Sequence, residues 1–299
     1  MEVVKLNGAT KGYIWGGNKL REYGKTSKDS VIAESWELSY HPHGQCMIDS
    51  GKYKGELLSY IATNDDLGKN IFNHKFFPVL IKLIDANDDL SIQVHPDDEY
   101  ALKHENSYGK EEMWYVVDAD ENAKLYVGFA RDLEEKELRE RIKNNNLIEV
   151  MNAISVKKGD CYLIKSGTVH AIGKGCLINE IQENSDLTYR IYDYGRRDAN
   201  GNLRELHIDK ALKVLNLKRM VPENIKSNRL MKNKYFEVEK IENAKEIIAD
   251  ENSFVAFTVL QGDGFVNDIP YKKGDTFFVP ANKKAVITGD NLLIATKIA

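Results

Sequence analysis

At 299 residues and 42% hydrophobic content the chain is long enough for one large domain or two, with a core ordinary for a globular protein. Its 46 acidic and 42 basic residues leave a formal charge of −4, which excludes a global basic field of the kind that draws proteins onto nucleic acid or anionic membranes. Cys46, Cys161 and Cys176 form no C-x-x-C pair, so neither a disulfide framework nor a zinc knuckle is indicated, and a reducing cytosol fits best.

Taken in order, the opening MEVVKLNGATKGYIWGG has no apolar segment behind basic residues, and no later run approaches the roughly 18 apolar residues of a membrane span. A cytoplasmic protein is expected. Turn signals such as WGGN at Trp15, HPHG at His41 and GDG at Gly262 punctuate short runs of strand character, so much of the chain reads as β. Helical periods are fewer and read as appendages: Gly55 to Thr63, Pro96 to Lys103, Asp132 to Asn144, Leu147 to Ile154 and Leu206 to Leu215. The i to i+4 acid and base pairs of the third make it a solvated surface helix. The polar stretch from Lys218 to Lys234 reads as a linker, which puts a domain boundary near residue 230.

An internal repeat adds the most. KKGDCYLIKSGTVHA at 157–171 returns as KKGDTFFVPANKKAV at 272–286, offset by 115 positions. Each copy is a tight Gly-Asp turn, a strand and a second turn. The pattern resembles the second cupin motif: Gly159, Gly167 and His170 take its places in the first copy, Gly274 and Pro280 in the second, where Ala285 stands for the histidine. The expected fold is therefore mainly β, two cupin (jelly-roll-like) barrels with a few helices. Residues 1–230 would form a metal-binding catalytic domain and 231–299 a degenerate copy without ligands.

In LSIQVHPDD from Leu90, a period of two puts Ser91, Gln93 and His95 on one face and Leu90, Ile92 and Val94 on the other. A polar face inside a barrel has to ligate or hydrogen-bond something. In EEMWYVV from Glu111, periodicity does not choose between Glu111 and Glu112. SGTVHAIG from Ser166 sets His170 between glycines. Together these segments offer two imidazoles and a carboxylate, the ligand set of catalytic zinc sites. The same set suits ferrous iron in an oxygenase. His41, His43, His74, His104 and His207 lack such a setting and read as structural or solvated. Trp15, Trp36 and Trp114 read as core residues rather than a sugar platform.

IWGG at Ile14, AESWELS at Ala33, SIQVHPDD at Ser91, GKEEMWY at Gly109, SGTVHAIG at Ser166 and NEIQENSDLTYRIYDYGR at Asn179 resemble, in order, the motifs of the type I mannose-6-phosphate isomerases in their short bacterial form. The resemblance implies a zinc enzyme on cupin domains that interconverts mannose 6-phosphate and fructose 6-phosphate through an enediol. It places His95, Glu112 and His170 on the metal-ligand positions, with Gln93 on a fourth used in longer members, and selects Glu112 over Glu111. Arg190 matches the family's catalytic arginine, and Glu180 and Lys110 match active-site residues. Arg196 stands where longer members carry a lysine, and the 58 positions from Glu112 to His170 leave little room for their inserted helical domain. The partner so implied is a small sugar phosphate. The rival readings at this point are an iron-dependent dioxygenase, a different sugar isomerase or a non-catalytic sugar-binding cupin.

Overall fold

The computed structural model describes residues 1–197 and 201–299. Its fold is mainly β, built from three antiparallel sheets. A six-stranded sheet runs in the order Cys161–Ile164, Glu112–Ala119, Cys176–Glu183, Val79–Asp85, Glu34–Leu38, Ala9–Lys11. A five-stranded sheet runs Tyr189–Tyr192, Ile92–Val94, His170–Ile172, Lys124–Phe129, Met151–Ser155. Their facing sides share an apolar cluster that includes Trp114, Val116, Ile178, Leu125, Val127 and Ile172.

The six-stranded sheet is buried on both sides, which is why strands such as VLIKLID and CLINEIQE lack the alternation of a half-exposed sheet. Its second side, carrying Met113, Tyr115, Ile81 and Ile181, packs with Phe236, Ile294 and Phe278 of the third, ten-stranded sheet. That sheet closes around its own core of Phe257, Phe277, Val259, Ile287 and Ala285. The helices Glu135–Lys143 and Ile208–Val214 cover the outer side of the five-stranded sheet through Leu138, Ile142 and Ala211. Among the described residues no helix is long and apolar enough to cross a membrane.

The repeat is visible as geometry. Gly159 and Gly274 both take positive φ, 87° and 91°, and in each turn the following aspartate accepts from the first lysine's N–H, Asp160 from Lys157 at 3.0 Å and Asp275 from Lys272 at 2.9 Å. Ala285 is fully buried in an apolar core where the first copy has His170.

Two expectations need correction. Leu147 to Ile154 is not a helix: a 3₁₀ turn, Leu147–Val150, leads into the strand Met151–Ser155, because Leu147 and Val150 bury under the sheet edge while Ala153 and Ile154 pair with Tyr126 and Leu125. The 218–234 stretch is not structureless, since Arg229–Lys232 is a strand paired with Phe236–Glu242. In addition, Val4–Asn7 pairs with Thr276–Val279, so the first residues of the chain belong to the sheet of the carboxy-terminal barrel.

Candidate metal centre

Register across the two facing sheets assembles the site. In the six-stranded sheet Trp36, Lys82, Glu180 and Trp114 lie side by side on four neighbouring strands. In the five-stranded sheet Arg190 lies opposite Gln93, and Gln93 opposite His170. Because neighbours in register point the same way, two polar rows face each other across the barrel interior.

His95, Glu112 and His170 converge at the buried end, each at most 1% exposed. His95 Nε2 lies 3.1 Å from His170 Nε2 and 3.2 Å from Glu112 Oε1, and His170 Nε2 lies 3.8 Å from Glu112 Oε2. A tetrahedral ion with bonds near 2.0–2.1 Å separates its ligand atoms by about 3.3 Å, so these spacings suit one metal ion. The tautomers agree. Nδ1 of His95 donates to the Leu187 carbonyl at 2.8 Å and Nδ1 of His170 to that of Thr168 at 2.8 Å, which leaves a lone pair on each Nε2 aimed at the other ring. Two lone pairs and a carboxylate oxygen, Glu112 Oε2, that has no hydrogen bond make a buried cluster that calls for a cation. The Lys110 ammonium partly answers it, 3.1 Å from His95 Nε2 and in contact with Glu112 Oε1. Burial, helped by Lys110, holds the His95 imidazole down to about 3, and burial also lowers His170, so both rings are neutral and able to ligate. Burial opposes ionisation of Glu112, but the Lys110 ammonium beside it outweighs that and keeps the carboxyl well below its ordinary range.

Gln93 Nε2 lies 3.4 Å from His170 Nε2; rotation of the amide by half a turn would present its oxygen instead. Glu111, the alternative to Glu112, points away and accepts from Asn233 Nδ2 at 3.1 Å.

Above this centre lies a cleft of about 450 Å³ lined by Gln93, Lys110, Glu180, Arg190 and others. Glu180 is tied on both oxygens, by Trp114 Nε1 at 2.8 Å and by Lys82 Nζ at 3.1 Å. Burial, then the charge of Glu112, raises its affinity for a proton against the pull of Lys82 and Lys110. Arg190 donates from Nη1 to the Glu205 carbonyl at 2.8 Å, and its buried Nε has no partner among the described residues. Among the described residues Arg190 makes no ion pair with the nearby acids: Asp193 is held by Arg196 and Arg204, and Asp186 by His43.

Sequence reasoning missed three residues of the cleft. Lys82 and Glu34 are buried in its wall, Lys82 Nζ 3.8 Å from Glu34 Oε2, with Trp36 Nε1 donating to the same oxygen at 2.6 Å. The readable signal was a lysine inside an otherwise apolar strand, which has to be paired. Arg204 is the third. Trp15 and Trp36 are largely buried and also line the cleft, whereas Trp114 packs behind Glu180. His41 and His43 meet Asp186 at the rim, but His41 Nδ1 accepts from the His43 N–H at 3.2 Å. Its proton then sits on Nε2, 3.5 Å from Asp186 Oδ1, so this nitrogen faces the carboxylate as a donor and has no lone pair for a metal.

Residues 3–130 match the family model for the catalytic domain of type I phosphomannose isomerase. The chain is 37% identical to mannose-6-phosphate isomerase ManA of Bacillus subtilis, over 90% of each chain. It is 36% identical to mannose-6-phosphate isomerase of Streptococcus mutans, over 95% of this chain and 94% of the relative. The chain belongs to the type I mannose-6-phosphate isomerases. A crystal structure of the Bacillus subtilis mannose 6-phosphate isomerase superposes with a TM-score of 0.88 at 34% identity, covering 99% of both chains. A mannose 6-phosphate isomerase bound with zinc and yttrium shares the fold at a TM-score of 0.75 and 16% identity, over 100% of both chains. Family membership makes this chain an enzyme, an aldose–ketose isomerase, and ends the reading as a non-catalytic cupin.

Proposed function

We propose that this enzyme interconverts mannose 6-phosphate and fructose 6-phosphate through an enediol, with one zinc ion held by His95, Glu112 and His170, in the cytoplasm. The observation that carries the reading is the convergence of two Nε2 lone pairs and a carboxylate within 3.8 Å, at the foot of a cleft that also holds Glu180 and Arg190. Two imidazoles and a carboxylate with an open position are a catalytic zinc set. When bound, zinc supplies Lewis-acid polarisation of the sugar oxygens without redox chemistry. Gln93 is placed to add an oxygen donor on the cleft side.

Isomerisation moves one proton between C1 and C2. Glu180 is the group proposed to carry it, because its carboxylate faces the cleft and a proton affinity raised above that of an ordinary carboxylate suits a base. Lys82 and the Trp114 indole hold that carboxylate in one orientation. Lys110 stands between the ligands and the cleft, where its ammonium can donate to a sugar hydroxyl. Arg190, permanently charged and planar, stabilises the negative charge that develops on the enediol oxygen. The indoles of Trp15 and Trp36 offer flat apolar walls to the sugar ring. Residues 1–230 would then act as the catalytic part, with the carboxy-terminal barrel, Ala285 in place of a ligand, as its support.

The test is a coupled assay on mannose 6-phosphate, with and without chelator, in air and without oxygen. Turnover that needs metal and ignores oxygen is expected. Strict dependence on oxygen would overturn the reading in favour of an iron dioxygenase.

A further inference from the structure

The strand Tyr189–Tyr192 carries Arg190, and the chain beyond it carries Arg196 and Arg204, which share one aspartate. Asp193, nearly fully buried, accepts from Arg204 Nε at 2.6 Å on Oδ2, and on Oδ1 from Arg204 Nη2 and from Arg196 Nη2, the latter at 2.6 Å. Arg196 is otherwise committed to the Asp89 carbonyl and does not line the cleft, whereas Arg204 does. The grip on Asp193 uses one edge of the Arg204 guanidinium, Nε with Nη2. The other edge, two N–H groups on Nη1 and one on Nη2, has no partner among the described residues. Such an edge matches two oxygens of a phosphate group.

Arg190 is tied to the same segment, its Nη1 donating to the carbonyl of Glu205, the residue after Arg204. Burial and then the charge of Arg204 make Arg190 hold its proton less tightly, which marks two guanidinium groups that repel across the cleft side. The carboxylates that share the cleft do not relieve this repulsion. Glu34 and Glu180 flank Lys82, and Asp186 faces His43. One mono-ionised aspartate shared by two arginines, with a third beside them, leaves an excess of positive charge that an anion would balance.

We propose that Arg204 determines specificity for phosphorylated sugars, its outer edge receiving the substrate phosphate while Asp193 holds the inner edge in place. The proposal rests on the sugar-phosphate reading given above. The two arginines of the cleft then differ in role, Arg190 answering charge at the reacting carbons and Arg204 reading the far end of the substrate. Arg196 takes no part in phosphate binding, since that side chain serves Asp193 and the backbone.

The experiment compares the wild-type enzyme with Arg204→Met and Arg204→Lys on mannose 6-phosphate and on unphosphorylated mannose, with metal content measured throughout. For Arg204→Met the ratio of kcat/KM on the phosphorylated sugar to that on the free sugar should fall about tenfold or more, mostly through KM, with the lysine variant in between. An equal loss on both sugars, or a loss confined to kcat, overturns the proposal, because a merely structural arginine acts alike on both. Calorimetric titration with inorganic phosphate reads the same site without turnover. Binding by the wild type that weakens about tenfold in Arg204→Met supports the anion site even if mannose 6-phosphate proves not to be the substrate. Equal phosphate binding by both proteins sinks it even if isomerase activity is present.

Discussion

Lys82 and Glu180 stand directly opposite each other on neighbouring antiparallel strands, both nearly fully buried, with Nζ 3.1 Å from Oε1. A pair so deep is costly to break from one side, since the surviving charge has no water to turn to. Lys82→Met is expected to lower stability by about 3–5 kcal/mol, read as an earlier thermal transition. The kinetic consequence has a sign. Lys82 is the first of the cations that oppose the raised proton affinity of Glu180, so its removal raises that affinity further. A base that must be ionised is then protonated already at a higher pH as the pH falls, and the acid limb of the kcat/KM profile should move up. An acid limb that stays in place would exclude Glu180 as the titrating base.

Zinc retention is predicted to depend on each imidazole. His95→Ala or His170→Ala leaves two protein ligands and one unopposed Nε2 lone pair, and both metal and turnover should be lost. Mass spectrometry of the metal in freshly purified variants checks this, and full occupancy in either one would refute the ligand assignment. Gln93→Ala, by contrast, should weaken metal binding only about tenfold, as loss of an auxiliary donor does.

Much of this site was legible because strand periodicity is rigid. Ser91, Gln93 and His95 had to share a face, and the apolar Ile92 and Val94 on the other face do pack under the helices. The Gly-Asp turns were legible because positive φ and an aspartate cap leave a strong sequence imprint. Glu112 and Glu111 were not separable by period, because a strand buried on two sides carries apolar residues at both parities; only family likeness chose, and the structure buries Glu112 while turning Glu111 toward Asn233. Lys82 left a signal of its own, a charge inside an apolar strand that has to be paired, but sequence alone does not show with which acids. Arg204 sits in a polar loop, where sequence carries no register at all. The Leu147 to Ile154 error has the same root, since a 3₁₀ turn followed by a strand places apolar residues at helix-like intervals.

Glu183 offers a pH prediction away from the ligands. Burial, then the neighbouring Asp98 carboxylate, pushes the Glu183 carboxyl up to about 9, while Asp98 stays low, held by Lys234, the Gly109 N–H and the Tyr235 hydroxyl despite its burial. The folded protein thus keeps a proton on Glu183 that the unfolded chain releases above its ordinary carboxyl value. Where the native state binds more protons, stability falls as pH rises, here between about 4.5 and 9. Glu183→Gln keeps the donor toward Asp98 without the titration. It should gain on the order of 1 kcal/mol over the wild type at pH 8, about 2 °C in Tm, and little at pH 5. Parallel Tm curves for the two proteins across this range would show that the pair shares no proton.

Arg190 separates charge stabilisation from substrate grip. Its strand sets it opposite Gln93, and its buried Nε has no partner among the described residues, so the group is held in position with donor capacity to spare. If that capacity is used on charge that appears only during the reaction, Arg190→Ala should lower kcat by about 10²–10³-fold with zinc content unchanged, since the arginine is not a ligand. Arg190→Lys keeps the charge and loses the fork, and should recover part of kcat. An effect on KM alone would instead make Arg190 a ground-state anchor of the phosphate. The contrast with Arg204→Met, whose loss is expected in KM, makes the pair of variants more decisive than either alone: two arginines fourteen positions apart in sequence, joined through the Glu205 carbonyl, should fail in different kinetic constants.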